Sequence, residues 1–200
     1  MPGPLAPPAV VALVPVKAFH LAKARLAGIL GAEERAALSR RMATLVLRAA
    51  RPLPVAVVCD DEAVAAWATD HDATVLWRPG RGLNPAVQEA VAALGDAGYA
   101  RVVVAHADLP LATTLSWAAG FNGVTIVPDR RDDGTNVLCV PTASGFEFAY
   151  GAGSFRRHAL EARRHRLPVR VVRDRALGWD VDVAEDLAAL TALEPTPAEA

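Results

Sequence analysis

Short apolar runs alternate with longer amphipathic stretches along the first half of the chain. Val10–Pro15, Val55–Cys59 and Arg101–Ala105 predict strands, and the composition of the last one indicates burial on both faces. Between them, apolar residues at helical spacing predict a helix over Ala32–Ala50. The remaining first-half predictions are helices at Asp61–Asp70 and Asn84–Leu94 and a strand at Ala73–Trp77. This alternating order predicts a mostly parallel sheet with helices on both faces.

The second half mixes strands and helices, which predicts antiparallel elements. Strands are expected at Val124–Val127 and Asn136–Pro141, joined by the polar turn Asp129–Thr135, whose Asp-Gly pair favours a hairpin. The other predicted elements are strands at Phe146–Tyr150 and Val169–Val172 and helices at Phe155–His165 and Val183–Leu193. Because no repeat or linker interrupts this pattern, we expect one domain over residues 1–193 and a flexible polar tail over 194–200.

Composition and charge exclude several classes of protein. The chain has 200 residues, of which 52% are hydrophobic and 22% charged, with a formal net charge of −1. These values exclude a disordered chain and argue against a protein that coats nucleic acid. No apolar run reaches the ~18–20 residues that span a bilayer, and Met1–Val16 lacks the basic start of a secretory signal. Cys59 and Cys139 lie in apolar runs and are expected to be structural thiols, so we expect a soluble cytoplasmic protein.

The distribution of basic residues points to a phosphate site. Of the 21 basic residues, Lys17 and Lys23 are the two lysines and the other 19 are arginines. A GC-rich genome explains the arginines, but it does not explain two lysines in one loop after the first strand. Together with Arg25, this loop offers three positive charges to a polyphosphate; a solvated basic loop is the alternative.

Acidic residues at strand ends form a second candidate site. Asp108 follows the fourth predicted strand, where a carboxylate can hold Mg²⁺ against phosphates. In an extended Gly178–Val183 segment, Asp180 and Asp182 would point to the same side, and two like charges there favour a cation between them. The alternatives are that Asp108 caps a helix or turn and that Asp182 caps the closing helix, which leaves Asp180 as the better metal candidate of the pair.

Two further segments have polar groups suited to ligands. In the Tyr150–Phe155 segment, Gly151 lets the backbone approach an anion, which Ser154 and the free N–H groups at the helix start would hold; a simple start of a helix is equally compatible. Asn84 either caps the helix that begins there or contacts a ribose or base.

Taken together, these motifs resemble the guanylyltransferases of coenzyme F420 biosynthesis, which join GTP to phosphoenolpyruvate or 2-phospho-L-lactate. The resemblance extends from about Val11 to Leu190, and six motifs in the right order and spacing are specific although each is weak alone. The matching segments are Val14–Lys17 with Ala22–Leu26, Gly82–Asn84, Ala107–Pro110, Asp133–Asn136, Gly151–Phe155 with His158, and Gly178–Asp182 with Glu185–Leu187. Residues 18–21 and the short turn 130–133 depart from the family pattern and leave the substrate detail open.

The resemblance implies a fold, a chemistry and a set of site residues. The fold is a single-domain nucleotidyltransferase (GT-A-like) α/β three-layer sandwich with a mostly parallel mixed sheet. The reaction is an in-line attack on GTP by a small phosphorylated carboxylic acid, with Mg²⁺ as cofactor; no nucleic acid or membrane partner is expected, and a homo-oligomer is allowed. The implied residues are Asp108, Asp180 and Asp182 for the metal, Thr135, Gly151 and Ser154 for the acceptor, and Lys17, Lys23, Arg25 and Asn84 for the nucleotide, with Asp108, Lys17 and Lys23 as the catalytic group.

Two other functions remain open at this point. One is a related nucleotidyltransferase that acts on a sugar phosphate or a molybdopterin-type cofactor. The other is a non-catalytic nucleotide-binding module. The sequence also does not separate phosphoenolpyruvate from 2-phospho-L-lactate or 3-phosphoglycerate, although a GC-rich bacterial composition favours phosphoenolpyruvate.

Overall fold

The first half of the chain forms four parallel strands. The computed structural model describes residues 10–193, with side chains described up to Leu190, so the predicted tail and the first nine residues lie outside it. The strands are β1 (Val10–Pro15), β2 (Val55–Cys59), β3 (Thr74–Trp77) and β4 (Arg101–Ala105), side by side in the order β3-β2-β1-β4. Three of the four match the sequence prediction residue for residue, and the parallel pairing is confirmed.

Helices connect these strands, as the periodicity predicts. They are α1 (Ala32–Ala50), α2 (Glu62–Asp70) and α3 (Leu83–Asp96). Asp61 caps α2, because its carboxylate accepts a hydrogen bond from the Val64 N–H at 3.0 Å. The cap interpretation of Asn84 is wrong: Gly82, with φ of 68°, precedes the helix, and Asn84 lies inside the first turn. None of the helices within residues 10–193 is long and apolar enough to cross a membrane.

The second half adds three strands and reverses one of them. β5 (Val124–Pro128), β6 (Thr135–Pro141) and β7 (Val169–Val171) complete a seven-stranded sheet in the order β3-β2-β1-β4-β6-β5-β7. β6 is antiparallel to both β4 and β5, which confirms the hairpin and the antiparallel elements. Because β6 runs in reverse, its first residues lie beside the end of β4, and the His106 N–H donates to the Asn136 carbonyl oxygen at 3.0 Å.

Helices cover the two faces of the sheet and make three layers. The strand residues alternate between faces, so Val14, Val57 and Val103 pack beneath α1 and α2. Leu13 and Leu138 face the other way, against α3 and α4 (Ser154–Arg164). A smaller third cluster joins the first crossover to α5 (Ala184–Leu193), and its buried members are Leu26, Leu38, Met42, Val181 and Leu190.

The predicted strand at Phe146–Tyr150 is wrong, although the segment is a buried part of the core. Its aromatic side chains alternate into the layer under α3 and α4, which is the pattern that suggested a strand. Its backbone N–H groups donate to side chains of the two helices instead of to a neighbouring strand. The N–H groups of residues 148 and 150 donate to Gln88 (3.1 Å) and Asn84 (2.7 Å) of α3, and those of residues 147 and 149 donate to Glu161 (3.3 Å) and His158 (3.0 Å) of α4. We call residues 146–150 the clasped segment.

Candidate active site

A lysine bridges two carboxylates at the carboxyl edge of the sheet. Lys23 Nζ lies 2.6 Å from Asp108 Oδ2 and 3.0 Å from Asp182 Oδ1, and the lysine side chain is only 9% exposed. Lys23 adopts a left-handed backbone conformation, with φ of 53°, which costs a non-glycine residue about 1 kcal/mol or more. The fold therefore holds Lys23 in this position against both burial and backbone strain.

The segment that contains Asp180 and Asp182 is anchored by the residue between them. Val181 is fully buried in the third core cluster, and its N–H donates to the Asp108 carbonyl oxygen at 3.3 Å. Val181 therefore packs into the core between the two aspartates. Asp180 and Asp182 are thereby brought to the end of β4, beside Asp108.

Electrostatic effects within the cluster are large because its members are close and partly buried. Burial lowers the pKa of Lys23, but the charges and hydrogen bonds of Asp108 and Asp182 outweigh this effect and raise it. Burial raises the pKa of Asp108, but the Lys23 charge, the His106 charge and the hydrogen bonds that Asp108 accepts together outweigh it and hold the pKa below its usual range. The pKa of Asp180 is raised by burial and by the charges of Asp108 and Asp182. The negative charge of Asp180 is therefore not balanced by the positive charge of the cluster.

Two carboxylate oxygens in the cluster test whether it suits the implied Mg²⁺. Asp108 Oδ1 and Asp180 Oδ1 are buried and have no hydrogen-bond partner within residues 10–193, which costs about 1–3 kcal/mol each unless a ligand satisfies them. Oxygen ligands of this kind are those that Mg²⁺ prefers, so the donor set fits the metal. As the side chains lie, however, Lys23 Nζ is between Asp108 and Asp182, and in the described range no three Asp, Glu, His or Cys side chains surround a common metal position.

A residue that the sequence interpretation did not single out fixes the position of Asp182. Asp186 is fully buried, and its Oδ2 accepts hydrogen bonds from the backbone N–H groups of Asp182 (2.8 Å) and Val183 (3.0 Å). Its Oδ1 accepts from Arg130 and, at 3.0 Å, from Arg131. Burial raises the pKa of Asp186, but these hydrogen bonds lower it to about 2. The alternative that Asp182 caps the closing helix is wrong, because Asp186 supplies the cap and the Asp182 side chain pairs with Lys23.

The implied acceptor residue Thr135 is tied to His158. Thr135 begins β6, and its Oγ1 lies 3.0 Å from His158 Nδ1. His158 Nε2 accepts from the Ala149 N–H at 3.0 Å, so the ring proton is on Nδ1 and is donated to Thr135. The hydroxyl proton of Thr135 is then free for another acceptor. Burial, and then the Arg157 charge, lower the pKa of His158 to about 4, which keeps the ring neutral at physiological pH.

The N–H groups before α4 are not available in the way that the sequence suggested. The N–H groups of Gly153 and Phe155 donate to the Asp133 side chain and backbone carbonyl, each at 3.0 Å, and the Ser154 N–H donates to Gly151 at 3.0 Å. The expectation that these particular groups hold an anion is therefore wrong, because Asp133 and Gly151 already supply their acceptors. Ser154 is buried, whereas Gly151 is exposed with φ of 113°.

A cavity of about 730 Å³ lies over this edge of the sheet. The predicted site residues that line it are Lys17, Lys23, Arg25, Asp108 and Asp182. The predicted site residues outside its lining are Asn84, Thr135, Gly151, Ser154 and Asp180. The Asn84 amide is engaged with the Tyr150 backbone, accepting at 2.7 Å and donating at 3.2 Å, so Asn84 connects α3 to the clasped segment.

The order and directions of the strands are those of a nucleotidyltransferase-like α/β fold. The fold resembles a provisionally assigned nucleotide-diphospho-sugar transferase from Desulfovibrio desulfuricans G20, with a TM-score of 0.73 and 20% identity over 94% of this chain and 89% of that one. It also resembles the 4-diphosphocytidyl-2C-methyl-D-erythritol synthase from Anaerococcus prevotii DSM 20548, with a TM-score of 0.61 and 13% identity over 92% of this chain and 95% of that one. At these identities the likeness concerns the fold.

The sequence comparisons identify the family within this class. The family model described as "Guanylyl transferase CofC like" matches residues 10–193. The phosphoenolpyruvate guanylyltransferase of Sphaerobacter thermophilus is 35% identical over 197 residues, covering 94% of this chain and 95% of its own. The chain belongs to the CofC-like guanylyltransferase family, as the sequence resemblance predicted.

Proposed function

We propose that the protein transfers the GMP group of GTP to phosphoenolpyruvate and releases pyrophosphate. The observation that carries this proposal is the cluster of Lys23, Asp108 and Asp182, which opens into a cavity that Lys17 and Arg25 also line. Membership of the family and the name of the Sphaerobacter relative support the nucleotide and the acceptor.

The proposed reaction is one displacement at phosphorus. A phosphate oxygen of phosphoenolpyruvate forms a bond to the α-phosphorus of GTP, and the bond from that phosphorus to the bridging oxygen of the β-phosphate breaks. The electron pair leaves with pyrophosphate. Because the attacking phosphate is already ionised at neutral pH, the protein needs no general base, and its contribution is positioning and charge neutralisation.

Each group of site residues has a separate part in this reaction. Lys17 and Arg25, both exposed in the cavity, neutralise the charge of the leaving phosphates. When GTP binds, the Lys23 ammonium pairs with one of its phosphates. Thr135 would donate its free hydroxyl proton to the acceptor anion, and the resemblance also assigns Gly151 and Ser154 to the acceptor. Asp108, Asp180 and Asp182 would hold Mg²⁺, which when bound stabilises the negative charge that develops during transfer.

The decisive experiment measures pyrophosphate release with GTP, Mg²⁺ and one acceptor at a time. The acceptors are phosphoenolpyruvate, 2-phospho-L-lactate, 3-phosphoglycerate and a sugar phosphate, and mass spectrometry identifies the product. We expect turnover with phosphoenolpyruvate. Release with the sugar phosphate alone, or GTP binding without turnover of any acceptor, would replace this proposal with one of the two alternative functions.

Replacing the central carboxylate tests the site itself. Asp108→Asn should lower kcat/KM by at least about 100-fold, because Asp108 binds Lys23 and supplies an unpaired oxygen to the cluster. The matched control is Asp96→Asn, which changes an exposed aspartate at the end of α3. Equal activity of the two variants would refute the assignment of Asp108.

A further inference from the structure

The cavity extends past the charged cluster to a second, mostly apolar end. At this end the lining consists of Val16, Val58, Cys59, Asp60, Arg78, Leu83 and Ala86. In the sheet order, β2 and β4 stand on either side of β1, so the residues that follow them are two strand spacings apart, about 9–10 Å. Asp60 follows β2 and Asp108 follows β4, so the two carboxylates mark opposite ends of one cavity.

The polar groups at the apolar end are not equivalent. Asp60 is exposed, and within residues 10–193 its carboxylate makes no hydrogen bond or ion pair. The other cavity carboxylates, Asp108 and Asp182, are both bound to Lys23. Arg78 is also committed, because its guanidinium lies 3.4 Å from Glu89 and donates to the Trp77 carbonyl oxygen at 2.7 Å. Asp60 is therefore the free charged group at this end.

The apolar walls at this end suit a flat ring. Leu83 begins α3 and is 41% exposed, so its side chain is accessible to a ligand in the cavity that it lines. Ala86 lies one turn further along the same helix, and Val16 and Val58 come from the ends of β1 and β2. A base that lay against these side chains would cover apolar surface while its edge reached Asp60.

The chemistry of a free carboxylate selects among nucleobases. Guanine has two adjacent donors on its pairing edge, the N1–H and the 2-amino group, and a carboxylate accepts from both in parallel. Adenine has an unprotonated N1 at the corresponding place, which a carboxylate repels. A cavity with one free carboxylate opposite a phosphate-binding cluster therefore favours guanosine nucleotides.

We propose that Asp60 reads guanine by accepting hydrogen bonds from N1–H and the 2-amino group, with Leu83 and Ala86 against the ring. The proposal rests on the proposed use of GTP, since it names the residue that selects the base. Inosine triphosphate separates the two hydrogen bonds, because it keeps N1–H and lacks the 2-amino group.

The test compares the binding of GTP and inosine triphosphate by calorimetry and, in parallel, the kcat/KM for each nucleotide. The wild type should prefer GTP by roughly 10- to 100-fold, the range for one hydrogen bond to a charged group. In Asp60→Ala this ratio should fall to near 1, and ATP should be excluded less strongly. The matched control, Asp96→Ala, should keep the wild-type ratio.

The outcomes distinguish the base-reading role from the proposed reaction. A ratio that is the same in Asp60→Ala and the wild type overturns the role of Asp60, whatever the turnover. A ratio that collapses in the variant supports that role even if no acceptor is turned over, a result that would refute the proposed reaction alone. Because Asp60 is exposed, the variant should unfold at the wild-type temperature, which thermal unfolding checks.

Discussion

Asp186 illustrates how one buried carboxylate can set the geometry of a site that it does not enter. It receives two backbone N–H groups at the start of α5 and the guanidinium groups of Arg130 and Arg131. Asp186→Asn removes the negative charge that accepts these hydrogen bonds and pairs with the two guanidinium groups. We therefore expect the free energy of unfolding to fall by about 2–4 kcal/mol. Urea unfolding measures this loss, and Glu185→Gln, an exposed neighbour, is the control. Matching stabilities of the two variants would contradict it.

His158 gives the protein a defined pH dependence of stability. Its pKa in the folded protein is lowered to about 4 from 6.5, so the unfolded chain binds a proton at a pH where the folded protein does not. The contribution of His158 to the free energy of unfolding is therefore fully present above pH 6.5. It is lost as the pH falls towards 4, which lowers the free energy of unfolding by up to about 3 kcal/mol. Urea unfolding at several pH values measures the slope of the free energy of unfolding against pH. This slope should be smaller in His158→Gln, because the variant lacks the titrating imidazole and keeps the other histidines. An identical slope in that variant would refute the assignment.

The residues differ in how far the sequence alone could identify them. Lys23, Asp108 and Asp182 could be predicted as site residues, because lysine scarcity and position at strand ends are visible in the sequence. Asp186 and His158 lie in segments that match the family motifs, but their roles could not be predicted, because these depend on hydrogen bonds to residues 55 and 23 positions away. The sequence does not show that the Asn84 amide binds the Tyr150 backbone, so it leaves a contact of Asn84 with the nucleotide open.

At the scale of elements, the clasped segment shows that helices can replace a neighbouring strand. Gln88 holds both the Phe148 N–H, at 3.1 Å, and the Phe146 carbonyl oxygen, at 3.0 Å. Gln88→Ala should therefore accelerate hydrogen exchange at the Phe148 amide by about tenfold, the equivalent of one net hydrogen bond. The amides of residues 147 and 149, which bind α4, should change much less.

Exchange measured by nuclear magnetic resonance tests this pattern residue by residue. The control is Asp96→Asn on the same helix, which should leave all four amides of the segment unchanged. A uniform acceleration across residues 147–150 would mean that the segment opens as one unit and that the two helices do not hold alternate amides.

Element prediction was accurate where burial and periodicity determine structure together. The ranges of β1, α1, β2 and β4 match the sequence prediction, because apolar runs and helical spacing each specify one structure there. The prediction of a strand at the clasped segment was wrong for a physical reason. Alternation of apolar residues shows that a segment is extended with one buried side, but it does not show which groups form hydrogen bonds with the backbone. Its partners come from helices 58–66 residues earlier and 9–14 residues later.

At the scale of the whole molecule, Lys23 joins parts of the chain that are far apart in sequence. It bonds to Asp108 and Asp182, which are 85 and 159 positions away, and so connects the first crossover to the segment before the last helix. Lys23→Met leaves three carboxylates near one another and removes the cation that Asp108 and Asp182 share, although Arg25 stays 3.8 Å from Asp182. We expect a loss of about 1–3 kcal/mol, less than for a fully buried pair because Asp182 is partly exposed.

Mg²⁺ should partly restore the stability of this variant. Once the ammonium is absent, the metal no longer competes with it for Asp108 and Asp182, so Mg²⁺ should raise the unfolding temperature of Lys23→Met more than that of the wild type. Thermal unfolding with Mg²⁺, and with sodium chloride of equal ionic strength, measures the difference. Lys17→Met, which removes an exposed lysine, should behave like the wild type; equal responses to the two salts in Lys23→Met would exclude metal binding at the cluster.

The reversal of β6 has a consequence for how members of this family can diverge. The parallel half supplies Lys17, Lys23, Asp60 and Asp108, whereas the reversed strand, the clasped segment and the start of α4 supply Thr135, Gly151 and Ser154. The groups that the resemblance assigns to the acceptor thus come from one continuous stretch of about twenty residues, separate from the residues proposed to contact the nucleotide. Selection for a new acceptor can act on that stretch alone, and exchanging residues 133–158 between relatives would transfer acceptor preference while leaving the nucleotide end of the protein unchanged.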